Sequence, residues 1–199
     1  GCRVTAITIS TEQHAEATRR VAAAGLDDRV DVALVDYRDV SGTYDRVVSI
    51  EMIEAVGEAW WPTFFNTLAH RLTPGGHAVL QAITIADDAF AAYRRRADFI
   101  QRSVFPGGML PSPSAIRERA QSAGLAVADR VSLGGHYAET LRRWRTAFEA
   151  RWPDISRMGF DTRFRRLWRY YLAYCEAGFD GGRIDLEQIR LTRAKGGPA

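Results

Sequence analysis

The sequence predicts an α/β fold built on a mostly parallel sheet with helices on both faces. Short apolar runs rich in β-branched residues alternate with helical patterns, and the connections between them are short. The chain has 199 residues, of which 46% are hydrophobic and 26% charged, as in an ordinary globular domain. This composition excludes disordered, collagen-like and disulfide-scaffold classes, and we expect one domain over residues 1–199.

The first half of the chain alternates strands with helices. Residues 3–9 are an apolar run of strand length, and Ser10 then precedes an Ala-rich helix that Gly25 ends. The same patterns predict strands over residues 30–35, 46–50 and 77–85, and a helix over residues 60–71 that the turn at 73–76 ends.

Helices are more frequent in the second half. Residues 90–104 predict an Arg-rich helix, and the prolines and glycines of residues 105–111 predict a structured loop. Ser112 or Ser114 is expected to cap a helix that ends at Ala123. The remaining predictions are strands over 125–133 and 186–193, helices over 139–150 and 162–177 between them, and a frayed tail over 195–199.

Charge is unevenly distributed along the chain. Residues 1–90 hold seven Arg against 13 acidic residues, a net charge of −6, whereas residues 91–199 hold 20 Arg and Lys against 11, a net charge of +9. A basic half suits nucleic acid or an anionic membrane, but solvated arginines on helices explain it equally well. The two cysteines have no zinc or disulfide spacing, and no uncharged stretch could span a bilayer, so a cytoplasmic location is expected.

Ligands of open α/β sheets bind beyond the carboxyl ends of the strands. The residues that follow the predicted strands are Thr8, Ile9, Ser10, Gln13, Asp36, Tyr37, Arg38, Glu51, Glu54 and Gln81. Such hydroxyl, amide and aromatic groups can bind a ribose, an amino acid or a purine. No Gly-x-Gly turn is present, so either the sheet binds no nucleotide or the chain begins one strand and one helix too late.

Six segments in order along nearly the whole chain carry more information than any single residue. They are residues 6–13 (AITISTEQ), 44–57 (YDRVVSIEMIEAVG), 98–101 (DFIQ), 105–112 (FPGGMLPS), 136–141 (HYAETL) and 170–179 (YYLAYCEAGF). Together they closely resemble the cyclopropane-fatty-acyl-phospholipid synthase family, which includes the mycolic acid cyclopropane synthases.

The resemblance implies a Rossmann-like class I methyltransferase sheet with a late antiparallel strand and a helical insertion before the last strand. The first strand and glycine-rich loop of that fold would precede Gly1, so we expect an N-terminally truncated domain with weak cofactor binding and little turnover of its own. Helical segments at about residues 87–123 and 137–179 are expected to form the lipid pocket.

The resemblance also implies S-adenosylmethionine as methyl donor and bicarbonate as a second cofactor. Arg38 stands where some relatives have an acidic adenine contact, and Asp36 could replace that contact. The residues expected to hold S-adenosylmethionine are Thr8, Ile9, Ser10, Gln13, Asp36, Tyr37 and Arg38.

Four further residues are the expected catalytic group, and no metal is expected. Glu54 and Tyr137 match residues that hold bicarbonate in the family, and Gln81 stands where many relatives have a histidine ligand for that ion. An amide cannot titrate, so Gln81 either weakens the base or marks a different product. Cys175 matches a cysteine near the acyl chain, although its position on an aromatic helix favours a buried apolar role.

The implied reaction is methyl transfer to the cis double bond of an unsaturated phospholipid acyl chain. A carbocation forms, and bicarbonate removes a proton as a cyclopropane ring closes. The alternatives are a methyl- or methylene-branched product, or a non-catalytic lipid- or nucleic-acid-binding remnant. Residues 94–96 and 142–143 predict peripheral contact with the anionic inner face of a membrane. No nucleic acid partner is expected, and a homodimer is left open.

Overall fold

The computed structural model describes residues 1–193. The chain divides into two compact units, Gly1–Thr43 and Tyr44–Ala199. The tail predicted over residues 195–199 lies outside the described residues.

The first unit is a strand, a helix and a second strand. Strand β1 (Val4–Thr8) pairs in parallel with β2 (Val30–Leu34), and α1 (Thr11–Ala23) connects them. The Ser10 side chain accepts a hydrogen bond from the Gln13 N–H at 3.2 Å, which confirms the predicted helix cap. Since Thr8 lies opposite Leu34, the carboxyl ends of both strands meet at one edge.

The second unit contains a four-stranded mixed sheet in the order β3-β4-β6-β5. Strands β3 and β4 are parallel, and β6 is antiparallel to both of its neighbours, as expected for a late antiparallel strand. The strands are β3 (Tyr44–Ile50), β4 (Leu72–Ile85), β5 (Leu125–Ser132) and β6 (Ile184–Arg193).

Strand β4 begins five residues earlier than predicted. Leu72 pairs with Tyr44 and His77 with Arg46, so residues 73–76 bulge out of an otherwise continuous pairing. Gly75 has a φ of +77°, which a β-branched residue would not adopt. The turn signal was therefore correct locally, but sheet pairing continues on both sides of the turn.

The helices of the second unit differ from the predicted ones in number and in where some of them begin. One predicted helix over residues 90–104 is two helices, because Asp98 and Gln101 form a reciprocal capping box that starts a new one. Two short helices, over residues 53–56 and 152–157, were also not predicted. The bounds are α2 (Ile53–Val56), a 3-10 helix (Glu58–Trp60), α3 (Trp61–Arg71), α4 (Asp87–Tyr93), α5 (Phe99–Ser103), α6 (Pro113–Ser122), α7 (Gly134–Ala150), α8 (Trp152–Arg157) and α9 (Thr162–Asp180).

The start of α7 is set by a residue distant in sequence. The helix begins at Gly134, five residues before the predicted start, and the Gly134 N–H donates to Asp185 of β6 at 2.8 Å. A Cβ at Gly134 would lie 2.6 Å from the same carboxylate, so glycine permits the close approach. The carboxylate replaces the local side-chain cap that the N-cap residue Leu133 lacks.

Helices pack against the sheet of the second unit through apolar side chains. Along β4, Leu80 and Ala82 are fully buried, whereas Gln81 and Ile83 alternate to the other face. Ile83 packs against the cluster formed by α7, α9 and β6, whose buried residues are Ala138, Leu141, Leu172, Phe179 and Leu186. Gln81 therefore lies on the face of β4 that α7 and α9 cover.

Candidate functional site

The first unit brings four predicted cofactor residues to the carboxyl end of β1. The Thr8 hydroxyl donates to Gln13 Oε1 at 2.8 Å, and the Ser10 N–H donates to Thr8 Oγ1 at 3.1 Å. Ile9, between them, is 76% exposed. Because the Gln13 oxygen already accepts from Thr8, its NH2 group is the part of the amide that can donate to a ligand.

Asp36, Tyr37 and Arg38 follow β2 at the same edge. The Arg38 guanidinium donates to both Asp36 carboxylate oxygens at 2.9 Å, and these hydrogen bonds lower the pKa of Asp36. The guanidinium also lies 5.9 Å from the centre of the Tyr37 ring. Asp36 could contact adenine only by giving up part of this pairing, so its predicted role in place of Arg38 stays a prediction.

Glu54 lies in the second unit, on the short helix α2 that follows β3. Its Oε1 atom accepts a 2.6 Å hydrogen bond from the Ile83 N–H, while Oε2 is inaccessible and has no hydrogen-bond partner among residues 1–193. Burial, with a smaller contribution from the Glu51 charge, raises the pKa of Glu54 to about 7. A carboxyl group with this pKa can be present in either protonation state near neutral pH.

Gln81 takes part in a hydrogen-bonded row that runs from Glu51, directly after β3, through Gln81 in β4 to Gln188 in β6. Its Nε2 donates to Glu51 Oε1 at 3.0 Å, and its Oε1 accepts from Gln188 Nε2 at 2.9 Å. Gln188 lies directly opposite Gln81 in the antiparallel pairing of β4 with β6. The amide of Gln81 is thus held at both ends, with its NH2 group directed to Glu51.

Tyr137 on α7 and Cys175 on α9 are both half-buried at the α7–α9 cluster. Burial and the nearby Glu51 carboxylate, which also hydrogen-bonds with the hydroxyl, raise the pKa of Tyr137 to about 12. Burial raises the pKa of Cys175 to about 11, against a hydrogen bond with Tyr171 that lowers it. Both groups are therefore neutral at pH 7, and Cys175 has the properties of a buried apolar side chain.

The structure thus brings the predicted residues together in two groups, one in each unit. The group in the second unit lies at one end of its sheet and consists of Glu54, Gln81, Tyr137 and Cys175. The sequence predicted Glu51 only as one of several strand-end residues, and Gln188 not at all. Glu51 could have been singled out because it is the carboxylate directly after the strand predicted over residues 46–50, three residues before Glu54.

Comparison with known proteins relates nearly the whole chain to lipid-modifying enzymes. Residues 1–189 match the family described as mycolic acid cyclopropane synthetase. Over 97% of its length, the chain is 48% identical to the tuberculostearic acid methyltransferase UfaA1 of Mycobacterium tuberculosis, of which it covers 45%. It is 34% identical to the cyclopropane-fatty-acyl-phospholipid synthase of Escherichia coli K12, over 96% of the chain and 47% of that protein. The chain spans about half the length of these curated relatives.

Solved structures show the same relationship. The mycolic acid cyclopropane synthase CmaA1, crystallised with SAH and CTAB, superposes with a TM-score of 0.85 at 27% identity, covering 95% of this chain and 69% of that one. The cyclopropane synthase MmaA2 of Mycobacterium tuberculosis also gives a TM-score of 0.85, at 25% identity and with the same coverage.

Proposed function

Because the chain belongs to the mycolic acid cyclopropane synthetase family, and its sheet and helical insertion confirm the class I methyltransferase fold expected from the sequence, we propose that it catalyses S-adenosylmethionine-dependent transfer of a one-carbon unit to an unsaturated fatty acyl chain. The observation that carries this proposal is the half-buried Glu54 carboxyl, which accepts from the Ile83 N–H and whose charge acts on the Tyr137 hydroxyl, in a family whose members carry names of such reactions. The acceptor is the cis double bond of a phospholipid acyl chain.

The first unit supplies suitable groups for the methyl donor. S-adenosylmethionine, when bound, supplies an electrophilic methyl group. The Gln13 NH2 group and the Ser10 and Thr8 hydroxyls can hold its polar ribose and methionine portions, and exposed Ile9 and the Tyr37 ring offer apolar contact to the adenine. This donor set fits the cofactor without a metal ligand.

The second unit supplies what the acyl chain requires. An isolated alkene is a weak nucleophile, so it must be held close to the methyl donor in a dry site. The half-buried rings of Tyr137 and Tyr171 can stabilise positive charge on the chain by about 0.5 to 2 kcal/mol each. The negative charge of ionised Glu54 can stabilise the same positive charge on the acyl chain. We place the acyl pocket among the helices of residues 87–123 and 137–179.

Bicarbonate, the base that the resemblance implies, does not fit the donors as the structure arranges them. The Gln81 NH2 group and the Tyr137 hydroxyl, both expected to hold this ion, interact with the Glu51 carboxylate. Since both donors are already engaged by Glu51, the participation of bicarbonate stays a prediction from the resemblance.

A methyl- or methylene-branched product is the second candidate. The relative that is 48% identical is named as a methyltransferase, whereas the 34% identical relative is named as a cyclopropane synthase. Gln81, in place of the histidine expected from the resemblance, also separates this chain from the usual pattern. The cyclopropane and the methylene branch add the same one-carbon unit and both require loss of a proton, but the methylene branch forms only after a hydride shift moves the positive charge.

Mass spectrometry of host lipids tests the proposed function. The gene, with whatever coding sequence precedes Gly1, is expressed in a host rich in monounsaturated phospholipids, and its fatty acids are analysed before and after hydrogenation. We expect a gain of one methylene unit. If the gain survives mild hydrogenation unchanged, the product is a cyclopropane, and if hydrogenation adds hydrogen, it is a methylene branch. No gain in a host that accumulates the protein would contradict the proposal and favour a binding remnant.

We also propose that a basic groove contacts the anionic lipid surface. Of the arginine clusters that the sequence suggested, Arg94, Arg142 and Arg143 form ion pairs with acidic side chains, whereas Arg95 and Arg96 form none among residues 1–193. A groove at α5 and α9 is lined by Arg102, Arg163 and Arg166, which form no ion pair among residues 1–193. None of the helices in residues 1–193 has the length and apolar character needed to span a bilayer.

Replacing Arg102, Arg163 and Arg166 by alanine is expected to weaken binding to anionic vesicles by about 100-fold, since each arginine near such a surface contributes about 1 kcal/mol. Vesicle co-sedimentation at low and high salt measures this change. A matched control replaces the exposed Arg19, Arg20 and Arg117, which removes the same charge elsewhere. Equal losses in both triple variants would show a general charge effect and reject the groove as the contact surface.

A further inference from the structure

Glu51 has an unusual backbone conformation at the end of β3. Its φ of +50° makes it the one non-glycine residue in the left-handed region among residues 1–193. Such a conformation is strained for a residue with a side chain and persists where the surrounding structure enforces it. The Glu51 N–H donates to the Gln81 carbonyl at 2.8 Å, which ties the strained residue to the neighbouring strand. Sheet pairing thus holds the side chain where a relaxed strand would not place it.

The Glu51 carboxylate is held by neutral donors. Gln81 Nε2 donates to its Oε1 atom at 3.0 Å, and Gln188 fixes the orientation of that amide by donating to its other end at 2.9 Å. The Tyr137 hydroxyl is its second hydrogen-bond partner. No ion pair with Glu51 exists among residues 1–193, so its charge is not neutralised by a cation.

The same two donors are those that the resemblance assigns to bicarbonate. A bicarbonate ion held by Gln81 and Tyr137 would have to approach both Glu51 and Glu54. Like charges at hydrogen-bond distance repel each other. A glutamate side chain, however, presents the same pair of acceptor oxygens as bicarbonate and is attached to the chain.

We propose that the Glu51 carboxylate is the catalytic base of this protein and takes the place of bicarbonate. The inference rests on the proposed function, because it concerns the last step of that reaction. In this step one C–H bond of the added methyl group breaks, and the proton forms an O–H bond on Glu51. The electron pair of the C–H bond forms the third C–C bond of a cyclopropane ring, or the double bond of a methylene branch after a hydride shift. Neither outcome needs an oxidant or a reductant.

The position of Glu51 suits this role on two further grounds. The residue is exposed in the second unit, so the proton can pass to solvent after each turnover. Its neighbour Gln81 cannot accept the proton in place of Glu51, whereas a histidine at that position could. Within this row Gln188 contacts only Gln81, so it acts on Glu51 by orienting the Gln81 amide and is a positioning residue.

Two substitutions at Glu51 test the proposal in the full-length protein. Glu51→Gln keeps the shape and removes the base, and we expect turnover to fall by at least about 100-fold, as for loss of a general base. Glu51→Gly removes the side chain and suits the positive φ, so this variant should fold and leave room for an anion. Turnover is measured in carbon-dioxide-free buffer with and without added bicarbonate, and Glu118→Gln, an exposed carboxyl on α6, is the control.

The wild-type protein is expected to turn over equally with and without bicarbonate, whereas Glu51→Gly should regain activity when bicarbonate or formate is added. Binding of carbon-13 bicarbonate, followed by NMR, gives a readout that needs no turnover, and only the glycine variant should bind it. Bicarbonate binding to the wild type, or a Glu51→Gln variant as active as Glu118→Gln, would overturn the proposal. If wild-type protein modifies no lipid under either condition, the proposed function fails, while the NMR result still decides whether Glu51 occupies the anion's place.

Discussion

Glu54→Gln is expected to gain up to about 3 kcal/mol of stability relative to the wild type as the pH rises from 4.5 to 7. The pKa of Glu54 is about 7 in the folded protein, against an ordinary value of 4.5, because burial disfavours the ionised form. A raised carboxyl pKa stabilises the folded state below pH 4.5, and this stabilisation is lost as the pH rises through 7. The difference between these pKa values corresponds to about 3 kcal/mol.

Urea unfolding of both proteins over a pH series measures this effect. Whatever the fixed packing difference between the two side chains, the difference in unfolding free energy should grow as the pH rises from 4.5 through 7 and level off about one pH unit above 7. The comparison cancels the other titrating groups, apart from Glu51, whose charge contributes to the raised pKa. A difference that does not change with pH would show that Glu54 is ionised normally.

The same variant should be less active although it is more stable. Methyl transfer leaves positive charge on the acyl chain, and an ionised carboxylate at Glu54 would stabilise it, so turnover of the wild type should rise through pH 7. Glutamine carries no charge, so the turnover of the variant should not rise through pH 7. It should also be about 100-fold lower than the turnover of the wild type. A carboxyl group that reduces stability at working pH is expected where it serves the reaction.

Local signals explain which parts of the fold could be predicted from the sequence. Ser10, three residues before Gln13, identifies the start of α1, and the apolar run before it identifies β1, because both signals lie within a few residues. The start of α7 could not be found in this way. It depends on Asp185, which follows Gly134 by 51 residues and meets it only when β6 has paired.

In the candidate site, too, some residues could be predicted from local sequence and others only from long-range pairing. Motif resemblance predicted Glu54 and Tyr137 as site residues because each lies in a segment that can be read continuously. The row from Gln188 through Gln81 to Glu51 joins residues 107 positions apart, and it depends on the antiparallel register of β4 and β6. No spacing rule in the sequence relates these residues, so the interaction of Glu51 with the presumed bicarbonate donors became visible only in the structure.

Trp61→Ala is expected to lower the free energy of unfolding by about 3 to 5 kcal/mol, the usual cost of removing a buried aromatic side chain. Trp61 is 1% exposed, and its ring stacks on Phe90 with 6.3 Å between ring centres. Its Nε1–H donates to the Ile53 carbonyl at 3.2 Å, inside the buried core. Trp144→Ala, at a half-exposed tryptophan on α7, is the matched control and should cost clearly less.

Trp61→Phe separates the hydrogen bond of this residue from its packing. The phenyl ring still fills most of the space but leaves the Ile53 carbonyl without its donor, at a cost of about 1 to 3 kcal/mol. Ile53 directly precedes Glu54 in α2, so a loosened helix would let water reach the Glu54 carboxyl and lower its pKa towards 4.5. The variant should therefore show a smaller change of stability between pH 4.5 and 7 than the wild type. If Trp61→Phe loses stability but keeps the full pH dependence, the indole N–H supports the core without positioning Glu54. If it loses both, one buried hydrogen bond links the core of the second unit to the ionisation of its candidate catalytic carboxyl.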